Sequence, residues 1–241
     1  MSAEGNGRER LLARPANLDF LLTNRTAFLR RFLRPGDQVL EIGAGLGIVS
    51  TYVKHLRLVS SDIQPKPWLD VVADGMRLPF ADARFDAVVC LHVLHHLARP
   101  RQGIEEMLRV VRPGGRLLIA EPHASWSLRV ALALTRHESV DWNVDPFGPD
   151  TCQTRGDGNN AIPDLMFGDL DRFLREFPGL TVEHDRFVEC VTFLNSGGVT
   201  RRSPHLPLPR YALRWCGWLD DRLVGLERVF AMGRELVFQK P

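Results

Sequence analysis

Nine residues, Val39-Leu40-Glu41-Ile42-Gly43-Ala44-Gly45-Leu46-Gly47, constrain this chain more than any others, because an apolar run there ends in three alternate glycines. The run reads as a buried strand, and alternate glycines let backbone approach a ligand where a Cβ would stand in the way. Val49, Tyr52, Val53 and Leu56 follow at helical spacing, so the turn is expected to open a helix whose first amides face whatever binds there. Strand, bare turn and helix start together make a cofactor cradle of the α/β kind.

The spacing narrows the cofactor. A dinucleotide fingerprint reads G-x-G-x-x-G, whereas here the third glycine comes one residue early and an acid, Glu41, lies inside the strand end. A carboxylate there repels a pyrophosphate and suits a ligand carrying an ammonium or sulfonium group. Asp62 follows at 62 − 41 = 21 residues, after the apolar stretch Leu58-Val59-Ser60-Ser61, where an acid can accept ribose hydroxyls. Val71-Val72-Ala73-Asp74 reads as a third short strand ending in an acid that could accept an adenine amino proton. Phe85 to Leu91 is apolar on both faces, as a central parallel strand should be, and leads into His92-Val93-Leu94-His95-His96-Leu97. Ile104, Met107, Leu108 and Val111 mark the next helix, stopped by Arg112-Pro113-Gly114-Gly115 before a fifth strand from Arg116 to Glu121. Taken singly, each signal also has a plain reading, as loop glycines or solvated acids.

In this order, Glu41-x-Gly-x-Gly-x-Gly, Asp62, Asp74 with Leu78-Pro79-Phe80, Phe85-Asp86, the Leu-His-His-Leu segment and Arg112-Pro113-Gly114-Gly115 resemble the class I S-adenosylmethionine (SAM)-dependent methyltransferases. Within that class the chain is most similar to the type 11 domain, the group that includes the ubiquinone and menaquinone biosynthesis methyltransferases. The resemblance covers roughly residues 35 to 122. It implies a Rossmann-like, three-layer α/β/α fold with a seven-stranded, mostly parallel sheet and an antiparallel C-terminal strand, and it implies SAM as cofactor. Carried over by position, Gly43, Gly45 and Gly47 would lie against the methionine part of SAM, with Glu41 helping to hold it. Asp62, with Ile63 beside it, would take the ribose. Asp74 and the backbone of Met76 would take the adenine, and Cys90 and Leu91 would offer backbone to the methionine ammonium.

With 241 residues and 44% apolar content, the chain fits a single α/β domain, 1–241, better than two. Residues 1 to about 16 read as a loose tail and 17–34 as an N-terminal helix, which in the family covers the cofactor. A short helix is expected over 169–177, a strand over 181–191, and a final strand over 235–239, placed antiparallel beside the fifth. Between these elements lie two insertions, 123–168 and 192–233, where class I enzymes carry their substrate-choosing segments. The first holds Trp126, a helical piece over 127–134, and a Gly/Asn/Asp/Pro-rich stretch over 144–163 expected to lack regular structure, as a lid does. The second contains an amphipathic stripe over 211–230, read as a helix capping the site. Asp220, Asp221 and Glu227 among its arginines argue against a membrane-surface helix.

The net charge of +2, with basic residues spread along the chain, leaves no footprint of a nucleic-acid binder. Cys90, Cys152, Cys190 and Cys216 show no C-x-x-C spacing, and no apolar run has the length of a membrane span. A reduced, cytoplasmic protein without stable membrane insertion is expected, and a homodimer is left open.

Methyl transfer from a sulfonium is an in-line displacement, so alignment and desolvation dominate, and a base is needed only if the acceptor must lose a proton. Four histidines fall after the fourth and fifth strands: His92, His95, His96 and His123. His95 and His96 match a segment that recurs in the family, which favours structural or cofactor-side roles, whereas His123, directly after Glu121-Pro122, is the leading base candidate. His137, Asp141 and Asp145 rank below it. His92 and His95, at i and i+3, show no third ligand in sequence, so no metal is expected. The expected function is methyl transfer from SAM to an oxygen or activated carbon of a small-molecule biosynthetic intermediate. The alternatives are an RNA or protein methyltransferase, or a non-catalytic SAM-fold protein that binds or regulates.

Overall fold

The computed structural model describes residues 3–135, 138–149, 158–199 and 202–241, with backbone only for 3–6. Its centre is one sheet of order β3-β2-β1-β4-β5-β7-β6. The strands are β1 Gln38–Ile42, β2 Arg57–Asp62, β3 Val71–Val72, β4 Phe85–Leu91, β5 Val111–Pro122, β6 Thr181–Val188 and β7 Gly233–Gln239. β1 pairs in parallel with β2 and β4, and β4 with β5, while β7 runs antiparallel between β5 and β6. This is the seven-stranded, mostly parallel sheet with an antiparallel C-terminal strand that the resemblance implies.

Strand alternation sorts the core onto two faces. Leu40, Ile42, Val88, Cys90, Leu117, Ile119, Leu236 and Phe238 bury one face against α5 (Pro100–Val110), α7 (Ile162–Phe167) and α8 (Leu170–Glu176). Val39, Ala87, Val89, Leu118, Ala120 and Val237 bury the other against α3 (Ala27–Phe32) and α4 (Ile48–Tyr52). The period of two puts Glu41 on the same face as Val39, next to α4 and beneath the glycine turn.

Several local expectations need correction. The residues read as a loose tail form α1 (Ala3–Ala13), which buries Leu11 against Leu18, Leu22, Leu46 and Tyr52. The helix read over 17–34 is two, α2 (Ala16–Arg25) and α3, with a break at Thr26. Arg14, at φ +49° before Pro15, separates α1 from α2, because the residue before a proline avoids the helical region. The helix after the glycine turn stops at Tyr52 and does not reach Leu56. The third strand ends at Val72, two residues before Asp74. β6 ends at Val188, where Glu189 turns the chain at φ +61°.

In the insertions, α6 (Trp126–Thr135) and α9 (Val191–Leu194) precede the stripe read over 211–230. That stripe divides into α10 (Arg210–Leu223) and α11 (Glu227–Phe230) around Gly225. Of the stretch over 144–163, residues 150–157 lie outside the described residues, and α7 has begun by its last two.

Candidate active site at the carboxyl edge of the sheet

From β1 the chain proceeds to β2 on one side, and β4 lies on the other, so the carboxyl ends of β1 and β4 bound a crevice at the topological switch point. Gly43, Gly45 and Gly47 line it with φ of +64°, +50° and +76°, a left-handed conformation costly for other residues. A Cβ at Gly45 would meet only Gly43 O, at 3.8 Å, so the surface over that residue is open; one at Gly43 would strike Val93 Cγ2 at 2.3 Å. Packing therefore requires the first glycine, and the second leaves room for a ligand. The Ala44 amide donates to Ser61 O (2.8 Å) and the Gly47 amide to Ala44 O (2.7 Å), which fixes the turn. With only five residues, α4 adds little dipole, and the Ala44, Gly45 and Gly47 amides are engaged within the protein, so what the turn offers a ligand is its bare surface over Gly45 and the Glu41 carboxyl beneath it.

Glu41 is 3% exposed, and its Oε2 has no hydrogen-bond partner among the described residues. Burial, the largest influence, pushes its pKa up to about 8; the Val49 amide opposes this, Asp62 adds to it, and Arg8 opposes it. A buried carboxyl short of a partner, beside a turn free of side chains, is a pairing that a cationic group would complete. Arg8 reaches over the turn from α1, its guanidinium 4.5 Å from the centre of the Trp68 ring, and donates to Leu46 O. Trp68 Nε1 in turn donates to Gly45 O at 3.0 Å.

At the end of β2, Asp62 accepts the amides of Gly45 (2.9 Å) and Gln64 (3.0 Å) and pairs with Lys66 (3.0 Å). Ile63 beside it is 64% exposed, an apolar side chain left in solvent at the mouth of the crevice. Asp74 accepts the Met76 amide at 2.8 Å, so the two groups assigned to adenine meet each other in a tight turn. That turn is tied to β2 by the Ala73 amide donating to Asp62 O (2.9 Å). Cys90 is fully buried, its thiol pushed well above the ordinary range by burial and then by the charge of Glu121, so it can offer only backbone. Leu91 is half-buried, and His92 leaves β4 at φ +56° with its pKa depressed by burial and by the charges of Arg25, His95 and His96. Glu41, the glycines, Asp62 and Ile63 thus converge on one crevice, with Cys90 and Leu91 on its far wall and Asp74 and Met76 at its β3 end.

Two histidine–carboxylate pairs stand beyond the far wall. Glu121, 1% exposed at the end of β5, accepts the amides of Val93 (2.8 Å) and Leu94 (2.7 Å) on Oε1 and His95 Nδ1 (2.5 Å) on Oε2. Burial disfavours the His95 imidazolium, but the charge and hydrogen bond of Glu121, with the charge of Glu138, raise its pKa overall. His123 donates from Nδ1 to Asp164 of α7 at 2.5 Å, and the same carboxylate accepts the Ala124 amide at 2.7 Å. His123 Nε2 is buried with no hydrogen-bond partner among the described residues. With Nδ1 turned to Asp164, Nε2 is the ring nitrogen left to take a proton, the geometry that a general base needs.

Of the lower-ranked residues, Asp141 and Asp145 are exposed, and Asp145 pairs with Arg172 of α8, away from both histidine pairs; His137 lies outside the described residues. Sequence reasoning missed Arg8, Trp68, Lys66, Glu121, Glu138 and Asp164. Glu121, an acid ending an apolar strand, carries the same signal as Glu41 and could have been found.

The geometry agrees with what comparison with known proteins finds. Residues 40–119 match the family described as a methyltransferase domain. Relatives include demethylmenaquinone methyltransferases of Beutenbergia cavernae, 42% identical over 100 residues, and of Corynebacterium glutamicum (strain R), 38% identical over 99 residues. These matches cover 36% and 37% of this chain, and the chain spans 42% and 43% of the length of those relatives. Among solved structures, a SAM-dependent methyltransferase from Archaeoglobus fulgidus superposes with a TM-score of 0.53 at 16% identity, over 91% of this chain and 93% of that one. The [4+2]-cyclase SpnF superposes with a TM-score of 0.52 at 17% identity, over 91% of this chain and 80% of that one, so the likeness shows the fold alone.

Residues 40–119 match the methyltransferase-domain family, and the sheet they belong to has the fold of the solved SAM-dependent methyltransferase. The cofactor implied by that match, SAM, fits the unpartnered Glu41 oxygen and the open backbone over Gly45. No helix among the described residues is long and apolar enough to cross a membrane.

Proposed function

We propose that the chain transfers the methyl group of SAM to an oxygen or activated carbon of a small-molecule acceptor. The observation that carries this reading is the buried Glu41 carboxyl with an unpartnered oxygen beneath a turn whose central glycine is open to a ligand. The names of the demethylmenaquinone methyltransferase relatives support an aromatic, quinol-like acceptor. When bound, SAM supplies an electrophilic methyl carbon on sulfur. Gly43, Gly45 and Gly47 hold its methionine part with backbone, and Glu41 places a negative charge beside its cationic groups. Asp62 and Ile63 take the ribose side, and Asp74 with Met76 bounds the adenine. Cys90 and Leu91 contribute backbone on the far wall. In this reading of the chain as a single domain, 1–241, the described parts of the insertions 123–168 and 192–233 would form the acceptor side and exclude water.

His123 receives the acceptor proton at Nε2 while Asp164 holds Nδ1–H and steadies the imidazolium that forms. His95 is fixed by Glu121, which suits a positioning role in the segment that carries His96. The test is transfer of labelled methyl from SAM to a panel of phenolic and quinol acceptors. Labelled product with at least one acceptor, reduced about 100-fold in His123→Ala, is expected for a general base. Transfer to RNA or protein alone would overturn the small-molecule reading.

A further inference from the structure

The carboxyl edge carries a second constellation, built around the His95–His96 segment to which the proposed methyl transfer gives no more than a positioning role. His95 and His96 stand in a 3-10 turn, Leu94–His96, after β4, and Glu138 reaches them from the insertion after α6. His95 Nε2 lies 3.7 Å from Glu138 Oε2, and His96 Nε2 lies 3.8 Å from Glu138 Oε1. The ligand atoms of the three residues all fall within 4.8 Å of one another. From sequence, His92 and His95 show no third ligand and no metal is expected; the fold instead joins His95 and His96 to Glu138 from a distant segment. We propose that His95, His96 and Glu138 form a binding site for a divalent transition-metal ion of the zinc type.

Four features support it. The nitrogen–oxygen separations are too long for hydrogen bonds but close to the spacing of two ligands on one ion: donor atoms about 2.1 Å from a tetrahedral centre stand roughly 3.4 Å apart. Metal-ligating histidines characteristically give their other nitrogen to a carboxylate, and His95 Nδ1 donates to Glu121, which is itself anchored by two amides. Asn160 Nδ2 donates to Glu138 Oε2 at 2.8 Å and so orients the carboxylate. The Asn159 amide donates to His95 O at 2.9 Å, and a Cβ at Gly158 would come within 2.7 Å of ring atoms of both imidazoles, so the insertion packs directly on the pair. Two imidazoles and one carboxylate form a donor set for zinc, cobalt or iron rather than for magnesium or calcium. His96 is 45% exposed, so the ion keeps a position open to solvent. An ion there fastens the insertion to the sheet edge and offers that position to an acceptor oxygen. This last role rests on the methyl-transfer reading; the binding itself does not.

The test uses the full chain after chelation. Co²⁺ is titrated by visible absorption and Zn²⁺ by calorimetry, on the wild type and on His96→Ala and Glu138→Gln, both at sites with some exposure. The expected result is one ion per chain with Kd at or below ~10 μM, cobalt bands of a nitrogen–oxygen site, and at least ~10-fold weaker binding in each variant. A rise in melting temperature with Zn²⁺ should accompany binding in the wild type and shrink in both variants, whose metal-free melting should stay near wild type. No saturable binding at ~1 mM Co²⁺, or binding that neither variant weakens, would overturn the proposal. SAM calorimetry on the same metal-free samples separates this failure from failure of the cofactor reading.

Discussion

The two halves of the carboxyl edge are built on different plans. The half proposed to hold the cofactor is mostly backbone: three glycines at positive φ, amides fixed by β2 and one buried acid, drawn largely from the short span between Glu41 and Asp62. The half proposed to face the acceptor is made of side-chain pairs joined across the fold, His95 with Glu121 and Glu138, and His123 with Asp164. Recognition by backbone needs a local pattern of small residues and tolerates little change. Recognition by paired side chains depends on which distant segments the fold brings together, so it can be rebuilt by altering an insertion.

The sharpest way to break this comparison is Gly45→Val. Its Cβ would meet little protein, yet it would project over the open turn, so SAM affinity should fall more than ~100-fold, about 2.7 kcal/mol. The fold should lose only the ~1–2 kcal/mol of a left-handed β-branched residue. Calorimetry and a melting curve check both, and a valine variant that binds SAM normally would show that the turn is not the cradle.

Next in size is the loss of transfer in the acceptor half. His123→Ala should lower kcat about 100-fold and Asp164→Asn about 10-fold, because the asparagine keeps the ring in place but removes the charge that stabilises its protonated form. Neither change should alter the SAM Kd. A shift in cofactor affinity as large as the shift in kcat would mean that the two halves are not separate.

Glu41→Gln is smaller, about 10-fold in SAM affinity, but carries a pH signature. Glu41 holds its proton up to about 8 in the free protein, so binding of a cationic ligand at pH 7 should release a proton, and affinity should rise with pH and level off above about 8. In the glutamine variant, calorimetry in buffers of different ionisation heat should show that release diminished. The linkage to stability has the matching sign. The folded acid keeps its proton above the ordinary 4.5, so this contribution to stability is complete below 4.5 and is lost as pH rises to about 8, by less in Glu41→Gln. Glu235, also pushed up to about 8, acts in the same direction in both proteins.

Legibility in the sequence followed the same division. The strand Val39 to Ile42 and the apolar run of β4 are local signals from which those strands could be read, whereas the sheet came from resemblance, and Val111 to Gly115, read as helix end and stop, already belong to β5 after a helix that ends at Val110. The antiparallel place of β7 came from resemblance, since nothing local in residues 233–239 says which strand they join. α1 was missed because its sequence is polar and glycine-containing and its order depends on Leu11 packing against Tyr52 and Leu46. His123 could be proposed from its place after β5, but Asp164 had no signal: its role depends on α7 folding back onto the sheet edge. Lys66 and Trp68 lie close to Asp62 in sequence, yet only the loop's path shows that Trp68 bonds the Gly45 carbonyl and Lys66 holds Asp62.

The central claim, that a side-chain-free turn over a buried acid holds a sulfonium cofactor, is tested most directly by calorimetric titration of the full chain with SAM, with NAD as a second ligand. The account predicts one SAM per chain with Kd in the micromolar range, ~1–100 μM, proton release near pH 7, and no displacement by NAD. No SAM binding at ~1 mM, or NAD bound in its place, would contradict it.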